Sequence, residues 1–236
     1  NFHLPKAAKR PGLTQALGVT LNDFDIPGRV DFSIRETQWL ADLHGIESDL
    51  RDTDKLCAKS LALMTPAPEQ EAQLASWLEQ SWVAGELSFA AVVKYGRTFG
   101  SGVRASIPIT WIESLPESYQ NCHRYFKDLR DKFVAHSVNS FEDNQVFACL
   151  SPQFAPTEVA SITVDSGRYT ALSTTAVTNL RKLAGALKTR VQHEISLETA
   201  RVLELARAIP LADMLSRETD SRPIPGASDV GKARKA

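Results

Sequence analysis

A mainly α-helical bundle carrying one small β-hairpin is the fold class predicted for this 236-residue chain. Three observations predict it. Apolar residues recur at three- and four-residue steps through four long stretches, as they do on a helix with one buried face. Helix-start signals precede three of those stretches. Two short runs alone are rich in β-branched and apolar residues and bounded by Pro, Ser and Gly, which reads as a hairpin.

Residues 1–30 carry Pro5, Pro11, Gly12, Gly18, Pro27 and Gly28 with little periodicity, and Lys6, Lys9 and Arg10 make their first part basic. They are expected to form an irregular arm. The bundle is expected over residues 31–209. Ser33–Glu36, "SIRE", has the form of a capping box, in which Ser and Glu satisfy the orphan amides of a helix start. Trp39, Leu43, Ile46 and Leu50 then mark one helical face. Thr65-Pro66 pairs a good N-cap with a first-turn proline and predicts a second helix start. Its seam runs Leu78, Trp82, Phe89, Val92, Phe99 and should stop in the glycine-bearing "FGSGVRAS".

A third start is "SLPE", Ser114 to Glu117, followed by the seam Cys122, Phe126, Leu129, Phe133. The strand insertion, "QVFACL" with "VASITVDS", occupies about 145–168. Val177, Leu180, Ala184, Leu187 and Val191 predict the last long helix, continuing through Ile195, Val202 and Leu205 to the break at Pro210. Residues 210–236, rich in Pro, Gly, Ser and charges, read as a disordered tail.

Composition limits the function classes. A hydrophobic share of 43% excludes wholesale disorder, and a net charge of -1 does not announce a nucleic-acid or membrane binder, leaving only local patches. Cys57, Cys122 and Cys149 are too far apart for a CxxC pair and odd in number, so each is expected to act as a small apolar residue in a reducing compartment. No apolar run of membrane-spanning length interrupts the chain, and a cytoplasmic location with no membrane partner is expected. His3, His44 and His193 have no partner at metal-ligand spacing, so neither metal nor cofactor is expected. No GxSxG frame is present for a serine nucleophile.

The chemistry concentrates in "KDLRDKFVAHS", residues 127–137. At about 100° per residue, Arg130 falls on one shoulder of the third seam and His136 on the other, about 120° away. One shoulder reads His123 and Arg130, the other Tyr125, Lys132 and His136. For Arg130 and His136 to meet one phosphate, the helix must end or unwind near Ala135, or a second segment must complete the site. A histidine near its ordinary value of about 6.5 exchanges protons at neutral pH. An arginine stays charged and matches a phosphate with its planar fork. Asp131 can orient either one. Together they suit metal-free RNA cleavage, with His136 moving protons and Arg130 stabilising charge on the phosphorus-bound oxygens. The same residues are also what a helix C-terminus favours, because cations stabilise its carbonyls.

"LRDKFVAHS" resembles the signature of HEPN-family domains, in which an arginine is followed by a polar residue and then, a few positions on, a histidine. Arg130, Asp131 and His136 occupy those places. The resemblance implies an all-α bundle that dimerises with its two motifs facing each other, and in many members metal-independent endoribonuclease activity in toxin or antiphage systems. It implies an RNA substrate such as tRNA or mRNA, and in such systems an antitoxin or defence partner. It equally allows a non-catalytic binding or scaffold module. Lys132, His123 and Tyr125 are then candidate phosphate contacts beside the motif. Arg97 and Arg104 flank "GRTFGSGVR", which lacks the Lys-Ser/Thr ending of a P-loop but could bring both to the RNA backbone. Trp77 and Trp82 are expected in the core or an interface.

Overall fold

A computed structural model describes residues 30–100, 102–134, 142–151, 158–168 and 170–217. Residues 1–29 of the expected arm and residues 218–236 of the expected tail lie outside the described residues. The described chain is mainly helical with a two-stranded antiparallel sheet.

Helix α1, Gln38–Leu63, is the centre of the bundle, and α2, Leu74–Arg97, and α5, Thr174–Arg207, pack along it. Both run antiparallel to α1. On α2, Ala84 accepts from the Ser60 hydroxyl while Lys94 reaches Asp52. On α5, Arg181 meets Asp54 near one end and Arg201 donates to the Glu36 carbonyl at the other. Leu43, Ile46, Leu50 and Cys57 of α1 are fully buried, as are Val177, Leu180, Leu187 and Val191 of α5, with Ala184 nearly so. These are the seams the periodicity picks out, and each large side chain contributes about 1.5–3 kcal/mol by leaving water. Burial pushes the Cys57 thiol up to about 12, so it is an inert apolar residue. Cys122 and Cys149 are only half-buried.

Three helix starts differ from expectation. Before α1 no capping box forms at Ser33–Glu36, and a 3-10 turn, Arg35–Thr37, leads into the helix instead. The Ile34 N–H donates to Thr37 Oγ1 at 3.1 Å, and the Ser33 N–H turns to Asp31 Oδ1 instead. α2 does not begin at Thr65-Pro66. Pro68 disfavours helical geometry at Ala67 and has no N–H of its own, so the chain stays irregular until a 3-10 turn at Glu71–Gln73. Thr65 instead accepts a hydrogen bond from Trp77 Nε1 at 3.0 Å. Ser114 does not cap α4, Glu117–Leu129. It closes a short unforeseen helix α3, Ile109–Glu113, by donating to the Trp111 carbonyl, and it accepts from Arg190. Pro116 stands at the N-cap position of α4. Another short helix, α6, Leu211–Leu215, lies inside the stretch read as tail.

The predicted seam of α2 splits. Val92 is buried and Phe89 and Phe99 pack on the core, but Leu78 and Trp82 are 54% and 62% exposed. The first turns of α2 therefore project beyond their neighbours. Strands β1, Glu142–Ser151, and β2, Glu158–Arg168, pair antiparallel with a bulge between Cys149 and Leu150. The chain leaving β2 returns across α2 to start α5. There the absence of a Cβ at Gly85 admits the Thr170 carbonyl, which an added Cβ would meet at 2.2 Å. Ser173 caps α5, accepting from the Ala176 N–H at 3.2 Å. No helix among the described residues is long and apolar enough to cross a membrane.

Candidate functional site

α4 does not simply stop after Leu129. Its backbone widens into a π turn over Arg130–Val134, departing from ideal α-helical geometry from the arginine onward. Such turns are rare and frequently mark functional sites. The described backbone ends at Val134, and His136 lies outside the described residues, as does the side chain of Phe133.

The π turn lies against the C-terminal end of α2. Tyr95, fully buried, brings its hydroxyl to 2.8 Å from His123 Nδ1, and the Phe99 ring packs edge-on against the His123 imidazole with centroids 4.5 Å apart. Burial, with Lys127 adding to it, pushes His123 below its ordinary value, while burial pushes the Tyr95 phenol up. A neutral phenol beside a neutral imidazole is the consistent pairing. His123 is thus an interior link between α2 and α4, not a phosphate contact, which corrects the reading of it as the companion of Arg130. The helical arc placed it beside the apolar seam, and the arrival of α2 covered it.

Next to Tyr95, Gly96 of α2 faces Arg130, about two turns beyond His123. A Cβ at position 96 would sit 2.9 Å from Arg130 Cγ and 3.2 Å from Cδ. The missing side chain is what lets the arginine stem lie across α2. Tyr95, Gly96, Phe99 and Gly100 on one side, with Lys127, Arg130 and Asp131 on the other, line a depression of about 200 Å³.

Asp131 organises its charged rim. Its Oδ1 accepts from Arg130 Nη1 at 2.7 Å, and its Oδ2 lies 3.1 Å from Lys127 Nζ. The Arg130 guanidinium first, then Lys127, holds the Asp131 carboxyl below the usual carboxylate range despite its partial burial. The rim therefore carries two cations and one carboxylate. A guanidinium has five N–H donors, so contact with one carboxylate leaves capacity for bidentate binding of an oxyanion. Arg130 is 39% exposed at its side chain, accessible yet held.

The other expected contacts are dispersed. Lys132 pairs with Asp128 at 3.3 Å and does not line the depression. Tyr125 borders a separate groove with Cys122, Phe126, Ser173 and Asn179. Arg104 and Arg97 turn to the buried Asp49 of α1, at 2.8 and 3.5 Å, where Lys94 also approaches at 3.7 Å. Asp42 accepts from the Ala105 N–H at 2.9 Å, so α1 tethers the loop after α2 at two carboxylates. That loop holds Phe99 and Gly100 against the depression. Sequence reasoning passed over Lys127, although its four-residue spacing from Asp131 was visible, and it met Gly96 only as the first glycine of "GRTFGSGVR", with no local signal of its approach to Arg130.

No family model, curated protein or solved structure matches this chain.

Proposed function

We propose that the chain is a metal-independent endoribonuclease of HEPN type, working as a homodimer with a composite Arg/His site in a toxin or antiphage role. The observation that carries this reading is Arg130, held half-exposed by Asp131 at the rim of a depression where α4 widens into a π turn. In this mechanism Arg130 and Lys127 receive the scissile phosphate and stabilise charge growing on its non-bridging oxygens. Asp131 keeps the guanidinium oriented. Its depressed carboxyl stays ionised at neutral pH, which suits an orienting group and not a proton carrier. His136 moves the protons, taking one from the ribose 2′-hydroxyl as that oxygen attacks phosphorus, or delivering one to the departing 5′-oxygen. The P–O5′ bond breaks, leaving a 2′,3′-cyclic phosphate and a 5′-hydroxyl.

Incubation with total RNA or tRNA in EDTA tests it. Wild type is expected to release fragments ending in 2′,3′-cyclic phosphate, and Arg130→Ala and His136→Ala to release none. If wild type leaves every RNA as intact as His136→Ala does, the enzyme reading fails for that substrate set. The second reading, a non-catalytic HEPN-like binding module, draws on the exposed apolar side chains of the hairpin. RNA or protein capture without cleavage, lost with Arg130→Ala, would favour it.

A further inference from the structure

The hairpin is amphipathic by register. Val146 pairs with Val164 and Ala148 with Ile162, so these four side chains share a face. The bulge then pairs Leu150 with Val159 in place of Ala160, which brings Val159 to the same face. The opposite face carries Gln145 with Asp165, Phe147 with Thr163 and Cys149 with Ser161. Val146, Leu150, Val159, Ile162 and Val164 are each more than half exposed, and no helix among the described residues packs along the hairpin. A two-stranded ribbon alone is marginal in water and needs further strands or a packed face.

A second exposed apolar set lies on α2. Leu74, Leu78 and Trp82 follow one another at four-residue steps along the projecting part of α2. The segment returning from β2 crosses α2 within about two turns of Trp82, where the Leu172 N–H reaches Ser88 Oγ at 3.3 Å. Hairpin base and α2 stripe therefore lie at the same end of the bundle.

The geometry points to a second copy of this chain as the occupant of the apolar hairpin face, with the α2 stripe extending the contact. The described side chains of that face, Val146, Ala148, Leu150, Val159, Ile162 and Val164, carry no charge, so two copies of this patch meet without like-charge opposition. At roughly 100 Å² for a fully exposed aliphatic side chain, the five hairpin and three α2 residues offer on the order of 450 Å² of apolar surface per copy. With the usual apolar share of about 57–65%, this matches an interface near the standard size of about 800 Å² per partner. The inference rests on the homodimer of the proposed function, not on its chemistry. It gives that homodimer an interface, and β1 begins eight residues after Val134, so the motif leads into it.

Sedimentation velocity of the full chain across concentrations tests this. Wild type is expected to dimerise. Ile162→Lys is expected to weaken the dimer at least about tenfold, because the change acts twice across a two-fold interface. Thr163→Lys, on the other face of the same strand, should leave dimerisation unchanged, with circular dichroism confirming that both variants are folded. A wild type that stays monomeric, or a dimer indifferent to Ile162→Lys, overturns the proposal. So does equal weakening by both variants. Cleavage of the same RNA set separates the two readings. A dimer lost with Ile162→Lys but without RNA cleavage leaves the interface standing and sinks the nuclease. RNA cleavage by a dimer that Ile162→Lys leaves intact does the reverse.

Discussion

Replacing Gly96 with alanine separates the position of Arg130 from the stability of the bundle. The new Cβ would stand 2.9 Å from Arg130 Cγ and 3.2 Å from Cδ, both in the stem of the side chain and not at its mobile tip. Relief therefore requires Arg130 to leave its present torsions, at a cost of about 0.5–1.5 kcal/mol. Against this, alanine is favoured over glycine inside a helix by about 0.5–1 kcal/mol. The two effects nearly cancel, so the melting temperature should move by no more than about 2–4 °C for a chain of this size. The guanidinium, however, leaves the rim of the depression. If it stabilises the transition state, RNA cleavage should fall by on the order of 10²-fold, the loss expected for one misplaced charge-stabilising donor. The assays are thermal unfolding by circular dichroism and cleavage of labelled RNA in EDTA, with Arg130→Ala beside it. A Gly96→Ala protein that cleaves like wild type while Arg130→Ala is impaired would refute the positioning role of Gly96. Gly85→Ala serves as the contrast. There the new Cβ meets the Thr170 carbonyl oxygen, which no rotamer change can move, and destabilisation of about 1–3 kcal/mol is expected.

Further outcomes follow from burial and charge. Leu187→Ala, at a fully buried position of α5, should lose about 2–5 kcal/mol in denaturant titration. His123 has a lowered native value, so on acidification below 6.5 the unfolded chain takes up a proton that the native chain does not. Stability should thus decline as pH falls through that window and level off below the native value, and His123→Gln should flatten the slope. Asp131, also lowered, contributes stability that disappears only on further acidification, below its unfolded value of 3.8. Because its partners are substantially exposed, Asp131→Asn should change stability at neutral pH by less than about 1 kcal/mol. The same variant should bind phosphate more tightly through added positive charge yet cleave RNA more slowly, a split that a purely structural aspartate would not produce.

Local pattern carried the elements whose partners arrive on the expected side. Val177 through Val191 and Leu43 through Leu50 are legible because a three-and-four step defines a face, and in both cases α1 and α5 cover it for each other. The hairpin was legible because β-branched runs bounded by turn residues have few alternatives. In the candidate site, Arg130 and Asp131 stood out by residue type and adjacency, and the structure joins them at 2.7 Å. Lys127 needed only the helical spacing already in hand.

What periodicity cannot state is whether a face meets anything. Leu78 and Trp82 share the seam of Val92, yet only the C-terminal half of α2 is covered, because α1 ends at Leu63 and the Pro68 segment delays the start of α2. His123 looked like a polar shoulder until Tyr95 and Phe99, more than twenty residues earlier, enclosed it. Arg97 and Arg104 looked like loop cations until Asp49 drew them to α1. The residue types, the seams and the Arg-Asp pair were determined by the sequence itself, since each depends on neighbours within a turn or two. The Gly96–Arg130 crossing, the buried His123 and the open hairpin face were decided by tertiary structure alone, because each depends on which distant backbone comes close and which does not.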